Sequence, residues 1–256
     1  MTLHAQGLTH SYGARTVLKN AGFDALEPGR LTALIGPNAS GKSTLFKVLS
    51  GLAVPQSGTA CLNGTDLATL TLRERLKRVC FMPQFFTANA ALTVFDVVMM
   101  AYKQLKGWSV SPADINAVSE ALEIAGIGHL SEAYIAELSG GQSQMVSVAQ
   151  ALIRRADVYL FDEPTSALDL RHQLEVLARI RQTMQARQTI GIVALHDLNL
   201  AARFADTLIL LREGEICAQG APEDVLRQPE IAETYGVTIE TTLGPREDLI
   251  VHAYAS

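Results

Sequence analysis

The sequence contains few of the features that mark secreted, disulfide-bonded or membrane-spanning proteins. Its 256 residues include only three cysteines, Cys61, Cys80 and Cys217. They are odd in number, far apart and without metal-ligand spacing, so we expect three buried, reduced thiols. No apolar run approaches the ~18 residues that a bilayer span requires, and the first residues lack the basic and apolar segments of a signal peptide. We therefore expect any role at a membrane to depend on a partner that spans it.

Positive charge is also scarce. The chain has 21 Lys and Arg against 26 Asp and Glu, which gives a net charge of −5. This composition provides no general attraction for nucleic acid or anionic lipid. Hydrophobic residues make up 48% and charged residues 18% of the chain, which is typical of a folded core rather than of disorder. We expect one core with an attached subdomain.

A glycine-rich loop is the most informative segment that the sequence does contain. "GPNASGKS", residues 36–43, matches the pattern G-x-x-x-x-G-K-[ST]. An apolar run suited to a buried strand precedes it at residues 31–35, and a helical apolar pattern follows it and ends at Leu52. In such a loop, backbone N–H groups hold the phosphates, Lys42 reaches the β- and γ-phosphates, and the Ser43 hydroxyl binds Mg²⁺. The sequence therefore predicts a site for ATP and Mg²⁺.

Two further apolar segments end in side chains that could complete this site. "ADVYLFDEP" ends in Asp162 and Glu163, and "GIVALHDLN" reaches His196. The carboxyl ends of parallel strands bind ligands in open α/β folds. We expect Asp162 to face Mg²⁺ and Glu163 to act as general base toward an attacking water. His196 is either a surface or capping residue at a strand end or a hydrogen-bond partner of the γ-phosphate.

A second anion-binding pattern lies in "ELSGGQSQMVSVAQALIRR". Ser139 is placed to cap a helix, and Gly140 and Gly141 let the first free N–H groups of that helix approach an anion. The segment itself contains no base, metal-binding carboxylate or nucleophile. The rest of its site must therefore come from elsewhere.

Six motifs in this order resemble those of the ATPase subunit of ABC transporters. They are "GPNASGKST", "PQ" at Pro83–Gln84, "LSGGQ" at 138–142, "LFDEP", "SALD" at 166–169 and "LHD" at 195–197. The resemblance covers roughly residues 2–235. It implies an α/β fold with a P-loop NTPase core around a mostly parallel sheet, an N-terminal antiparallel β-subdomain and an inserted helical subdomain.

Local patterns agree with this organisation along the chain. We predict a single ABC ATPase domain at 1–235, with the helical subdomain at about 85–153, and a C-terminal β-hairpin extension at 236–256. "SPADINAVSEALEIAGI" predicts a helix capped by Ser111 with Pro112 in its first turn. The tail places a Gly-Pro pair in the turn of the hairpin.

The resemblance also implies a role for each matching residue. The Walker A loop would comprise Gly36, Asn38, Gly41, Lys42, Ser43 and Thr44, which bind ATP together with Tyr12 stacked on adenine. Gln84 would contact Mg²⁺ and sense the transport subunit, and Asp162 and Glu163 would complete the Walker B site with Ser43 and Asp162 as metal ligands. His196 would be the switch histidine. The residues expected to bind ATP held by a second chain are Ser139, Gly140, Gly141, Gln142 and Asp169.

The implied assembly is a head-to-tail homodimer with two ATP molecules at its interface. "LHDLNLAARFAD" and "GAPEDVLRQPEIAETYGV" are most similar to ATPase subunits of bacterial importers for ferric siderophores, haem and cobalamin. The partners would be integral membrane permease subunits and, through them, a periplasmic or surface substrate-binding protein. The location would be peripheral, at the cytoplasmic face of the plasma membrane.

Several alternatives stay open at this point. The cargo is an iron-siderophore or haem complex in preference to cobalamin, although no residue of this subunit is expected to touch it. A soluble ABC ATPase acting in DNA repair or translation is a second class, disfavoured by the single cassette and the negative charge. A small-molecule kinase with the same phosphate loop is a third class. It is disfavoured because it would not explain Ser139–Gln142 or the adjacent Asp162 and Glu163. No nucleic-acid partner is expected.

An apolar set after Gln84 also allows two interpretations. Each member could belong to the core, or the set could line a groove for a helix of the membrane subunit. The set comprises Phe85, Phe86, Leu92, Val94, Met99 and Met100. Two departures from the family pattern are Ala39, where glycine is frequent, and Ser143, where Arg or Lys is frequent.

Overall fold

The computed structural model describes residues 1–84, 91–104, 107, 109–245 and 247–255. Phe85 and Phe86 lie outside the described residues. The strands are β1 (Leu3–Tyr12), β2 (Arg15–Leu26), β3 (Leu31–Ile35), β4 (Ser57–Leu62), β5 (Thr65–Asp66), β6 (Val79–Met82), β7 (Val158–Asp162), β8 (Ile190–Ala194), β9 (Thr207–Arg212), β10 (Glu215–Gly220), β11 (Val237–Leu243) and β12 (Leu249–Ala255). The α-helices are α1 (Lys42–Ser50), α2 (Leu72–Arg78), α3 (Val94–Lys103), α4 (Pro112–Ala125), α5 (Gly140–Leu152), α6 (Leu170–Arg187), α7 (Leu198–Phe204), α8 (Pro222–Leu226) and α9 (Pro229–Tyr235).

A six-stranded sheet forms the centre of the molecule, in the order β10-β9-β3-β8-β7-β6. All neighbouring strands are parallel except β9 and β10. Every residue of β3, β7 and β8 is buried, as parallel strands covered on both faces require. The strand expected at residues 31–35 is confirmed.

A separate antiparallel sheet, in the order β2-β1-β4-β5, is formed by strands from the first 66 residues. Its core side chains pack with α1 on one face of the central sheet, where Leu3, Leu18 and Leu45 join Leu34 of β3. The side chains of β3 that alternate with Leu34 belong to the second core, on the opposite face. The fold class predicted from the sequence is confirmed.

The α-helices α3 to α5 lie between β6 and β7 in the sequence. Ser111 caps α4 in a capping box with Asp114, and Pro112 occupies the first helical turn, as predicted. Val94 and Met99 are buried in the core, whereas Met100 is exposed and Leu92 is half-buried. The apolar set is therefore divided between core and surface. The residue boundaries assigned to the subdomains stay predictions.

Two smaller expectations were wrong. Helix α1 ends at Ser50, and Gly51 follows with a φ of 84°, a left-handed conformation that terminates helices. Leu52 therefore falls outside the helix and is 57% exposed. Cys80 is buried, but Cys61 in β4 and Cys217 in β10 are only partly buried.

The C-terminal strands β11 and β12 pair along their whole length as an antiparallel hairpin. The side chain of Asn199, in α7, fastens this hairpin to the core: its Nδ2 donates to the Val251 carbonyl at 3.1 Å, and its Oδ1 accepts from the Val251 N–H at 2.7 Å. Within the described part of the chain, no helix combines the length and apolarity needed to cross a membrane.

One ion pair joins two helices of the helical region. Lys103, the last residue of α3, places its Nζ 2.9 Å from Oδ2 of Asp114 in the first turn of α4. The hydrogen bond from Lys103, with further ones from Ser111, lowers the pKa of Asp114 from 3.8 to about 2. Because the folded state favours the ionised carboxylate, this pair stabilises the fold above pH 3.8 and loses its contribution as the pH falls toward 2.

Replacing Lys103 by Met should therefore destabilise the protein in a pH-dependent way. We expect the variant to melt below the wild type at pH 6, and we expect the difference to shrink as the pH falls through 4, because Asp114 then becomes neutral. Thermal melts at a series of pH values measure this. Lys19→Met, which changes an exposed lysine of β2, is the matched control. A difference that did not change with pH would contradict the prediction.

Candidate nucleotide-binding site

The site is built at the carboxyl edge of the central sheet. Strands β3, β8, β7 and β6 are neighbours in that order, and their register aligns Leu34 with Ala194 and Ala194 with Asp162. The segments that follow these strands therefore emerge side by side. Gly36, His196, Glu163 and Gln84, which are far apart in sequence, all lie in these segments.

The phosphate loop connects β3 to α1 through backbone conformations that favour glycine. Gly36 has a φ of 149°, and a Cβ there would lie 2.1 Å from the Leu211 carbonyl oxygen. Gly41 precedes α1 with a φ of 114°, and no side chain caps this helix, so the first N–H groups of α1 stay available to an anion. Ala39 adopts a φ of 61°, a left-handed conformation that costs an alanine roughly 1–2 kcal/mol. The departure from glycine at this position therefore carries a conformational cost.

The side chain of Lys42, the first residue of α1, contacts the backbone of this loop. Its Nζ donates to the carbonyl oxygens of Gly36 at 2.7 Å and Pro37 at 3.0 Å. Burial lowers the pKa of Lys42, and the nearby carboxylates of Glu163 and Asp162 oppose that shift. The ammonium group is thus fixed to the start of the loop, near the carboxylates of Glu163 and Asp162.

Asp162 and Ser43 form the part of the site that suits a divalent cation. Asp162 is 3% exposed, and burial raises its pKa, while a hydrogen bond from Ser43 acts in the opposite direction. Its Oδ1 atom is buried and has no hydrogen-bond partner among the described residues. A carboxylate oxygen and a hydroxyl are ligands that Mg²⁺ accepts alongside phosphate oxygens and water. The donor set therefore fits this ion.

Glu163 is held through both its side chain and its backbone. Gln84 Nε2 donates to Oε2 at 2.5 Å, and His196 Nε2 forms a short contact with Oε1. The residue has a φ of 51°, and its carbonyl accepts from Gln144 Nε2 and from Ser166. Of the two interpretations of His196, this position at the carboxylate favours the one that places it in the site.

These residues surround a cleft of about 760 Å³. The predicted residues that line it are Asn38, Gly41, Lys42, Ser43, Thr44, Gln84, Glu163 and His196. Arg15 and Val17 of β2 also line the cleft and were missed. Their only sequence signal is that they follow the hairpin turn after Tyr12. Tyr12 itself is half-exposed and does not line the cleft, and its ring meets that of His10 edge-on at 4.7 Å.

The second anion-binding pattern forms a separate surface. Ser139 caps α5 by accepting from the Gln142 N–H, while Oε1 of Gln142 accepts from the Ser139 N–H at 2.9 Å. A second cavity of about 560 Å³ is lined by these residues together with Gly140, Gly141 and Asp169. Among the described residues, it shares no lining residue with the cleft at the phosphate loop. Within one chain, the two predicted sets are therefore not brought together.

Comparison with known proteins agrees with this geometry. The profile of the ABC transporter family matches residues 18–166. The chain belongs to this family. An ABC transporter ATP-binding protein of Methanocaldococcus jannaschii is 36% identical over 93% of this chain and 92% of its own length. The hemin import ATP-binding protein HmuV of Bordetella avium is 38% identical over 96% and 97% of the two chains. The family predicted from the sequence is thereby confirmed, and ATP hydrolase activity is expected of its members.

Solved structures support the same assignment. A chain of a transporter described as of the metal-chelate type, in an inward-facing conformation, superposes with a TM-score of 0.82 at 25% identity and covers 98% of this ABC ATPase and 96% of its own length. A dimeric ATP-binding cassette bound to ADP and phosphate after hydrolysis has a TM-score of 0.76 at 25% identity, over 86% and 98% of the two chains. The resemblance to importer ATPase subunits and the nucleotide as ligand are thereby confirmed.

Replacing Lys42 by Ala should weaken nucleotide binding. Hydrogen bonds to charged groups contribute about 1.5–3 kcal/mol, so we expect the dissociation constant for ATP to rise roughly 10- to 100-fold. Isothermal titration with ATP measures the constant. Lys77→Ala, at an exposed position of α2, is the control and should bind as the wild type does. Equal affinity of both variants would remove Lys42 from the phosphate cradle.

Proposed function

We propose that this ABC ATPase hydrolyses ATP as a head-to-tail homodimer and thereby drives a membrane permease that imports an iron-siderophore or haem-type complex. The observation that carries the proposal is the position of Glu163. Its carboxylate lies at the sheet edge beside the phosphate loop and is in contact with both Gln84 and His196. The proposed base and the phosphate loop thus line one cleft. The buried carboxylate of Asp162 lies next to it, hydrogen-bonded to Ser43 of the cleft lining.

The catalytic roles follow from this arrangement. The Walker A residues, with Lys42 among them, bind the triphosphate, and Tyr12 provides an aromatic face for the adenine. Mg²⁺, held by Ser43, Asp162 and Gln84, would neutralise charge on the β- and γ-phosphates. Glu163 accepts a proton from the attacking water, and His196 donates a hydrogen bond toward the γ-phosphate.

The separate surface at the start of α5 is the argument for a dimer. A helix N-terminus favours an anion through its free N–H groups and its dipole, yet the phosphate loop of the same chain lies in a different cavity. In a two-fold dimer, the Ser139–Gln142 end and Asp169 of one chain face the ATP held by the other. A similar cassette is dimeric when bound to ADP and phosphate, which supports the proposal of a dimer.

The transport assignment rests on similarity. A hemin import ATP-binding protein is among the relatives, and a metal-chelate type transporter is among the similar structures. The chain would be peripheral at the cytoplasmic face of the plasma membrane, bound to permease subunits and through them served by a periplasmic or surface binding protein. The same ATPase could serve cobalamin or another cargo, and a soluble non-transport ABC ATPase is the remaining alternative.

Replacing Glu163 by Gln should stop turnover but preserve ATP binding. A general base contributes about 10²- to 10⁴-fold, so we expect a loss of that order in the hydrolysis rate. The variant should then accumulate as a dimer on size-exclusion chromatography when ATP and Mg²⁺ are present. Ser139→Arg added to Glu163→Gln should leave monomers that still bind ATP, because the blocked surface belongs to the other chain's site. Wild-type hydrolysis by Glu163→Gln, or loss of ATP binding on adding Ser139→Arg, would contradict these roles.

The transport role has its own test. We expect the tagged chain, purified from its native membranes in mild detergent, to retain a permease with many membrane-spanning helices, identified by mass spectrometry. ATPase stimulation by the matching binding protein with haem, ferric siderophore or cobalamin would then identify the cargo. Recovery of soluble partners alone would favour the non-transport ATPase.

A further inference from the structure

A buried glutamine connects the helix of the second surface to the proposed base. Gln144 lies in α5, two residues after Gln142, and is 6% exposed. Its Nε2 donates to the backbone carbonyl of Glu163 at 3.1 Å. Gln144 lies five residues from Ser139, which corresponds to about 7.5 Å along a helix axis. One helix therefore carries both the anion-binding end and a direct hydrogen bond to the catalytic segment.

The carbonyl that Gln144 contacts belongs to a residue in an unfavourable backbone conformation. Glu163 has a φ of 51°, and non-glycine residues keep such angles only where surrounding contacts hold them. The same carbonyl accepts from the Ser166 N–H at 3.3 Å and the Ser166 hydroxyl at 3.2 Å. Both of those donors belong to the same short loop. Among the residues that the structure describes, Gln144 is therefore the donor that fixes this peptide group relative to another element.

The rest of the loop also lies between two helices. On the α5 side, a Cβ at Gly141 would be 3.3 Å from the Ala167 carbonyl oxygen, so the helix end and the loop are in close approach. On the α6 side, Gln173 Nε2 donates to the carbonyls of Thr165 at 3.2 Å and Leu168 at 3.1 Å. A shift of α5 would thus move the start of this loop, where Glu163 stands, through Gln144.

We propose that Gln144 is a positioning residue for Glu163, which ties the geometry of the base to the position of α5. Gln144 does not contact the cleft, so it acts on turnover only through the Glu163 backbone. The proposal rests on the assignment of Glu163 as base. It predicts that loss of the amide donor slows hydrolysis without weakening ATP binding.

The test compares two glutamines of the same helix. Gln144→Met removes the donor to Glu163, and Gln150→Met removes a glutamine that donates to the Val97 carbonyl at 3.5 Å, away from the site. A lost hydrogen bond should lower kcat roughly three- to tenfold in Gln144→Met. The KM for ATP should stay unchanged, and the thermal midpoint should match that of Gln150→Met. A kcat equal to that of Gln150→Met would overturn the proposal.

Two further measurements separate positioning from a general structural effect. In a Glu163→Gln background, Gln144→Met should produce no additional loss, because the base it orients is already absent. Gln144→Glu keeps the side-chain volume but donates only when protonated, so its kcat relative to the wild type should rise as the pH is lowered. An additive loss in the double variant, or a ratio independent of pH, would overturn the proposal. Failure of the wild type to hydrolyse ATP would instead reject the proposed function.

Discussion

The site depends on the parallel register of β3, β8, β7 and β6. These strands end at one level, so the loop at Gly36 and the side chains of Gln84, Glu163 and His196 reach the same cleft. A slip of one residue in any strand would turn its side chains to the opposite face. The two buried cores, one on each face of the sheet, make such a slip unfavourable.

Charge of both signs is buried at this edge, and the groups depend on one another. Burial lowers the pKa of Lys42 and raises that of Asp162, which means that desolvation disfavours both charged forms. The mutual attraction of the ammonium and the carboxylates offsets part of this cost. Removing one partner would leave the other charge buried and uncompensated. The charged groups at this edge therefore stabilise one another.

The sequence allowed the loop, the strand ends and the cap of α5 to be predicted because each is encoded locally, by spacing or by the Ser139–Gln142 capping box. Features set by tertiary packing were not predictable. Arg15 and Val17 line the cleft only because the β1–β2 hairpin lies against it. The bond from Gln144 to the Glu163 carbonyl joins residues on two elements. Leu52 fits a helical apolar period, but the left-handed Gly51 ends the helix before it.

The bond between Asn199 and Val251 has a consequence for how the C-terminal hairpin meets other molecules. A two-stranded ribbon exposes free N–H and C=O groups along both margins, and such margins invite pairing with strands of other chains. The amide of Asn199 supplies one donor and one acceptor to a single residue of β12, as a neighbouring strand would. These two backbone groups of β12 are therefore not free to pair with a strand of another chain. At this residue the side chain of Asn199 takes the place that a neighbouring strand would occupy.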